Sequence, residues 1–151
     1  MDWDESLSTA DNARRALAPL VGEWFARGRE LAGGKGSGRA FHSFRLRTKR
    51  LRYTLEMFRQ FYGPRLDECL AALRKVQTRL GELNDCAVTR KLLPDDSPQR
   101  ARVEQFLERR ERTLRTGFRK TWQEVDQSGE EARWTAYLAR SWKANRAAGG
   151  S

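Results

Sequence analysis

The chain has 151 residues, of which 38% are hydrophobic and 33% are charged, so a small core must carry a heavily charged surface. Thirty lysines and arginines against twenty aspartates and glutamates give a formal net charge of +10, which implies an anionic partner such as nucleic acid, a membrane surface or a polyphosphate. No stretch approaches the ~18 apolar residues that a membrane span requires, and one histidine with two separated cysteines cannot supply a metal-ligand cluster.

The first predicted helix covers residues 9–31, where apolar residues recur at helical spacing. Ser8 and Asp11 are three residues apart at its start and can cap it. The glycine-rich stretch 32–38 ends this helix as a flexible connector. That stretch is not a phosphate-binding P-loop, because no strand precedes it and the required order of glycines and lysine is absent.

The second predicted helix covers residues 39–62 and the third covers residues 64–93, with a proline in its first turn. Gln77 and Asn84 interrupt the apolar stripe of the third helix, so they either satisfy polar groups inside the bundle or line a groove. Gly81 in mid-helix costs ~1 kcal/mol relative to alanine, so we expect another helix to approach closely there. The residues that share the flank of Gly81 are Arg74, Thr78 and Asp85.

Ser97 is predicted to cap the fourth helix, which has Pro98 at its first position and runs to about residue 127. Residues 128–131 read Ser-Gly-Glu-Glu, a capping box for a shorter fifth helix that runs to about residue 145. The last five residues, 147–151, are expected to form a disordered tail.

No stretch has a strand pattern, and the connectors between the long helices are short. The sequence therefore predicts an all-α fold, an antiparallel helical bundle of four long helical segments plus a shorter C-terminal helix, with residues 1–146 as a single domain. Cys69 and Cys86 lie among apolar neighbours, which favours buried thiols over a disulfide. The acidic N-terminus lacks the apolar run of a signal peptide, so we expect a cytoplasmic protein.

The second helix carries an unusual line of basic side chains. His42, Arg45, Lys49 and Arg52, here called the cationic row, are spaced by three, four and three residues and therefore lie one above another along the helix. Glu56 continues the same line. Apolar residues flank the line on both sides, and they are Phe44, Leu51, Leu55 and Phe58 in one arc and Leu46, Tyr53 and Met57 in the other.

We expect both apolar arcs to pack on neighbouring helices, so that the cationic row faces a groove and not open water. Like charges at these spacings repel, and partial burial adds a desolvation cost. Glu56 can neutralise one cation and Asp85 another, and an anion would stabilise the remainder. The alternative is an ordinary solvated helix face, which is the commoner meaning of such a run taken alone.

Two further arginines are weaker candidates for the same site. Arg14 flanks the apolar face of the first helix. Arg110 falls within the apolar stripe of the fourth helix, next to the expected core residue Phe106, where it either pairs with an acid or contacts phosphate. No Ser/His/Asp or Cys/His constellation is evident, so the sequence predicts no enzyme activity and no cofactor.

Residues 41–53, Phe-His-Ser-Phe-Arg-Leu-Arg-Thr-Lys-Arg-Leu-Arg-Tyr, resemble the signature helix of the CHAD family, the conserved-histidine α-helical domains. Residues 80–85, Leu-Gly-Glu-Leu-Asn-Asp, resemble a second stretch of the same family. The resemblance implies a helical bundle that binds inorganic polyphosphate in a basic pore without catalysis. The ligand contacts that it implies are His42, Arg45, Lys49, Arg50 and Arg52, although the helical wheel turns Arg50 away from the row.

Members of that family usually hold two such repeats, whose basic helices face each other across the pore, and this chain resembles the second repeat. A symmetric homodimer would bring two copies of the row face to face. We therefore expect a protein that binds polyphosphate, that can form a homodimer and that is located at polyphosphate granules. The alternative is a nucleic-acid-binding protein that uses the same basic surface. No membrane partner is expected.

Overall fold

The computed structural model describes residues 2–140. Over that range the fold is all-α and has no strand, which confirms the predicted fold class of four long helices and a shorter fifth one. A single 3₁₀ turn, Arg59–Phe61, follows the second helix. The α-helices are α1 Thr9–Ala32, α2 Gly38–Met57, α3 Arg65–Leu92, α4 Arg100–Val125 and α5 Glu130–Leu138.

The start of α1 agrees with the predicted cap. The hydroxyl of Ser8 accepts a hydrogen bond from the backbone N–H of Asp11 at 3.1 Å, and thereby satisfies one of the N–H groups that a helix start leaves unpaired. Ser37 caps α2 in the same way, at 3.2 Å from the N–H of Ala40. A side-chain cap thus fixes the first residue of the helix that carries the cationic row.

Four predicted helix boundaries are wrong. α4 begins only after Gln99, and Ser97 donates its hydroxyl to the side chain of that residue and does not cap the helix. α5 begins after Gly129, which takes the N-cap position with a left-handed backbone (φ 85°) in place of the predicted Ser128. It ends at Leu138 and not at about residue 145. α2 ends at Met57 and not at residue 62, because the chain tightens into the 3₁₀ turn. The predicted tail, 147–151, lies outside the described residues.

Side-chain pairs show that neighbouring helices run antiparallel. His42 near the start of α2 meets Asn84 late in α3, whereas Glu56 at the end of α2 meets Arg74 early in α3. The same holds for α3 and α4, where Arg90 near the end of α3 forms ion pairs with two glutamates of α4. None of the helices within residues 2–140 is both long and apolar enough to cross a membrane.

A cluster of aromatic rings holds α1, α2, α4 and α5 together. Trp24 of α1 stacks on Phe44 and on Trp134, with ring centroids 5.8 and 5.9 Å away, and contacts Trp122 at 4.9 Å. Its indole N–H also donates to the buried hydroxyl of Thr48 on α2 at 2.9 Å. These contacts set the rotation of α2 about its axis, because they fix which side of the helix faces the core.

Both cysteines are buried and free, as the sequence indicates. Phe106 is an exception to the predicted core, since 64% of its surface is exposed. Two glutamates that flank it along α4, Glu104 and Glu111, pair with Arg90 of α3, so the side of α4 that faces α3 is a different one.

Candidate functional site

The cationic row lies along the edge of α2 that faces α3. Arg45, Lys49 and Arg52 are half-buried, and only 18% of the Arg52 side chain is exposed. His42 is more exposed, with its Nδ1 atom 3.1 Å from the amide oxygen of Asn84 on α3. That amide is one of the two polar interruptions of α3, and it lies beside the row and not in the core.

A groove of about 310 Å³ separates this edge of α2 from α3. Two members of the row, Arg45 and Arg52, line it from α2. Side chains of α3 that share one flank of that helix form the opposite wall. The complete lining is Arg45, Arg52, Arg74, Gln77, Thr78 and Gly81. Two of the four members of the row, Arg45 and Arg52, therefore face a groove, whereas His42 and Lys49 are not part of its lining.

Gly81 serves the groove in a way that differs from the prediction. A Cβ atom placed on this glycine would have no heavy atom of the described residues within 4 Å, so no helix within residues 2–140 approaches closely there. The expected close helix contact is wrong, because the glycine faces open space. Because glycine has no side chain, the groove stays open at this position of α3.

Several polar atoms in the groove are buried but have no hydrogen-bond partner. They are the Nε atoms of Arg45 and Arg52 and the amide oxygen of Gln77. A buried donor without an acceptor costs about 1–3 kcal/mol, so native proteins rarely keep such atoms without a reason. Among residues 2–140, neither Arg45 nor Lys49 forms an ion pair. The groove is therefore rich in positive charge and in hydrogen-bond donors.

Glu56 is the acidic side chain next to the groove. Its Oε1 atom lies 3.3 Å from Nη2 of Arg74 and 3.8 Å from Nε of Arg52. The predicted neutralisation of one cation by Glu56 is confirmed. Asp85 does not play the similar role that was expected, because it is exposed and forms no ion pair within the described part of the chain.

The residues that line the groove lie within a part of the sequence that matches a known family. The sequence matches the family described as CHAD domain over residues 2–94, which include α1, α2 and α3 and every residue of the groove lining. The chain belongs to the CHAD domain family. No curated protein and no solved structure matches it significantly. α4 and α5 lie beyond the matched part of this CHAD chain.

The outer face of α2 in this CHAD domain differs from the prediction. Leu46, Tyr53 and Met57 were expected to pack on a neighbouring helix, but 45%, 48% and 73% of their surfaces are exposed. α1 and α3 contact the other sides of α2, and no element within residues 2–140 covers this one. The cationic row therefore has buried apolar residues on one side only, and exposed apolar residues on the other.

The remaining candidate arginines lie outside the groove. Arg50 is exposed on the opposite side of α2, where it lines a cavity of about 360 Å³ between α1 and α2. Arg14 forms an ion pair with Asp11 at the start of α1. Arg110 is exposed on α4, so its predicted inward position is wrong. It forms no ion pair among residues 2–140, so of its two predicted alternatives the acidic partner is not found there.

Besides Gly81, two further groove residues were not assigned to the site from the sequence, namely Arg74 and Thr78. Their position on one flank with Gly81 was visible in the helical spacing, but spacing alone does not show which neighbour that flank faces. The described residues contain no group of three or more histidine, cysteine, aspartate or glutamate side chains placed to hold a metal ion.

Proposed function

We propose that this CHAD domain binds inorganic polyphosphate, a linear phosphate polyanion, along the cationic row and the α2–α3 groove, without catalysing a reaction. The observation that carries the proposal is the pair of buried arginine Nε donors, on Arg45 and Arg52, that lack an acceptor. A phosphate oxygen would satisfy such donors and neutralise the charge at the same time. Membership of the CHAD family supports the same ligand.

The geometry of the row suits a linear ligand. The ten-residue rise from His42 to Arg52 covers about 15 Å of the helix axis, with a cation every 5–6 Å. Arginine offers planar sets of N–H donors that fit phosphate oxygens, and it stays charged when it is partly buried. His42 adds an imidazole at one end of the row, held by Asn84.

The other candidate arginines have a secondary role in this proposal. Arg50, Arg14 and Arg110 attract the polyanion through the general positive field of the molecule and do not contact it in the groove. The electrostatic attraction that they exert should decay over the Debye length, which is about 8–10 Å at physiological ionic strength. Single glutamine substitutions at these positions should therefore weaken binding less than a substitution in the row.

The test compares ligands at fixed ionic strength and equal phosphate concentration, by isothermal titration calorimetry. Long-chain polyphosphate should bind more tightly than single-stranded or duplex DNA. The alternative function, nucleic-acid binding by the same basic surface, predicts that one of the DNA ligands binds best. Equal affinities would reduce the proposal to unspecific polyanion binding.

A triple variant tests the location of the site. Replacing Arg45, Lys49 and Arg52 by glutamine should lower the affinity for polyphosphate about 100-fold, because each charged contact contributes about 1 kcal/mol or more. The matched control replaces Arg109, Arg112 and Lys120 by glutamine. This change removes the same amount of positive charge from the exposed side of α4. An equal loss in both triples would show that the row is not the site.

Arginines that support the fold are unsuitable for that control. Arg79 donates to Thr121 at 3.1 Å and so links α3 to α4. Arg115 donates to the backbone carbonyl of Gly36 at 3.1 Å and stacks over the ring of Phe41. Their loss would disturb the bundle as well as its charge.

The proposal includes a homodimer in which two copies of α2 face each other and complete a pore. The exposed Leu46, Tyr53 and Met57 would form the apolar contact, and the two cationic rows would share one polyanion. Sedimentation with and without polyphosphate tests this part. A monomer under both conditions would refute the dimer and leave polyphosphate binding by a single groove intact.

The proposed location is the cytoplasm, at polyphosphate granules. A fluorescent fusion of the chain should concentrate on those granules, and the Arg45, Lys49 and Arg52 triple variant should spread through the cytoplasm. Even distribution of the unchanged fusion would refute this location.

A further inference from the structure

Glu56 is the one acidic side chain within ion-pair distance of the groove-lining cations among the described residues. Its carboxylate lies one helical turn beyond Arg52, at the end of the line that the row forms. It reaches Arg74 on the opposite wall, with 3.3 Å between Oε1 and Nη2. Glu56 therefore connects the two walls of the groove.

The contact between Glu56 and Arg52 is incomplete. At 3.8 Å, Oε1 of Glu56 is near enough to Nε of Arg52 for electrostatic attraction but too far for a hydrogen bond. Nε of Arg52 is accordingly one of the buried donors without a partner. The carboxylate lowers the positive potential at this end of the groove without satisfying the donor.

A carboxylate and a phosphate present the same kind of oxygen acceptor to arginine. Because Glu56 is attached to α2, it is always present beside Arg52 and Arg74, whereas a ligand must arrive from solution. A polyanion that enters this end must either displace the carboxylate from Arg74 or remain next to a like charge.

We propose that Glu56 is a built-in competitor for the polyanion and that Arg74, which it holds, is a further binding residue on the α3 wall. This inference rests on the proposed binding of polyphosphate. When the ligand binds, Arg74 exchanges the Glu56 carboxylate for phosphate oxygens. The competition limits the affinity, and the carboxylate regains Arg74 when the ligand leaves.

The experiment measures the affinity of long-chain polyphosphate for the Glu56→Gln variant at several salt concentrations. Glutamine keeps the size of the side chain but removes its charge. We expect affinity to rise about three- to tenfold. We also expect the slope of log affinity against log salt to steepen by about one, because one more cation becomes available to the ligand.

The matched control is Glu30→Gln. Glu30 also pairs with an arginine, Arg27, at 3.1 Å, but it lies on the exposed side of α1. Both variants raise the net charge by one. A similar gain in both would assign the effect to net charge and overturn the inference.

Arg74→Gln provides the second test. It should weaken binding, and Glu56→Gln should give a smaller gain in the Arg74→Gln background than in the unchanged protein. If Glu56→Gln instead weakens binding, the carboxylate orients the arginines and does not compete, so the inference fails while polyphosphate binding stands. If the unchanged protein does not bind polyphosphate at all, the proposed function fails as well.

Discussion

Thr48 connects the cationic row to the core through a single hydroxyl. It accepts a hydrogen bond from the indole N–H of Trp24 and donates one to the backbone carbonyl of Phe44 at 2.8 Å. Thr48 is fully buried, and its bond to Trp24 fixes α2 against α1. The cationic row is thereby held on the edge of α2 that faces α3.

Replacing Thr48 by valine should therefore destabilise the fold by about 1–3 kcal/mol, because the indole N–H of Trp24 loses its acceptor in a buried environment. Urea denaturation measures the change. The control is Thr89→Val, which removes an exposed hydroxyl that bonds to its own helix and should change stability by less than about 0.5 kcal/mol. Equal effects at both positions would contradict this role of Thr48.

At the residue scale, the sequence was sufficient for the row but not for its surroundings. The spacing of His42, Arg45, Lys49 and Arg52 depends only on helix geometry, so it predicts that they share one edge. The partners of Asp85 and Arg110 depend on which helix faces them, and that is a tertiary property. For this reason the wheel placed Glu56 correctly and failed for Asp85.

Two glycines show how helix packing gives the same residue type opposite roles. A Cβ atom on Gly28 of α1 would overlap the ring of Trp122, so this glycine allows α1 and α4 to approach each other. Gly81 of α3 faces open space in the groove. Sequence alone predicts the cost of a mid-helix glycine, but only the packing shows which glycine is required by a neighbour.

Alanine substitutions at these positions should have opposite signs. Gly81→Ala should stabilise the protein by about 0.5–1 kcal/mol, since alanine favours the helix and meets no neighbour. Gly28→Ala should destabilise it by about 1–3 kcal/mol or more through overpacking against Trp122. Thermal unfolding measures both, and destabilisation by Gly81→Ala would refute the open position of this glycine.

The element scale also explains which helix boundaries were predictable. Ser8 caps α1 as expected, because the capping pair is entirely local. The end of α2 was predicted five residues late, since Phe58 is buried and the chain turns there to reach α3. The helical pattern of the sequence continues past the end of α2, so the pattern does not mark this boundary, which depends on the burial of Phe58.

At the scale of the whole molecule, cysteine thiols and tyrosine phenols in the interior make the stability of the fold sensitive to high pH. Burial raises the pKa of the Cys69 thiol to about 12 and that of the Tyr62 phenol to about 12. Burial also raises the pKa of Cys86 and of Tyr137. In each case the unfolded chain loses its proton at a lower pH than the folded chain does.

Stability should therefore be unaffected by these groups below about pH 8.5 and should fall as the pH rises above it. One such group contributes a slope of up to about 1.4 kcal/mol per pH unit. Urea denaturation between pH 8 and 10 measures the slope. The Cys69→Ala variant should show a shallower decline over this range than the unchanged protein, and an identical slope would contradict the role of Cys69.

The overall bundle was predictable because its helices are amphipathic and its connectors are short, and both are local features of the sequence. The exposed band of Leu46, Tyr53 and Met57 was not, because an apolar arc on a helix does not reveal whether another element covers it. Leu51 and Leu55, in the arc on the other side of the row, are buried, so two similar apolar arcs have different surroundings in the fold.

The ring cluster around Trp24 also gives the protein an intrinsic spectroscopic signal. Its indole contacts Trp122 and Trp134 within 6 Å and bonds to α2 through Thr48. A shift of α2 toward a ligand would change the polarity around this indole and the coupling among the three rings. The near-ultraviolet circular dichroism and the emission wavelength of the protein should therefore register events in the groove without any added label.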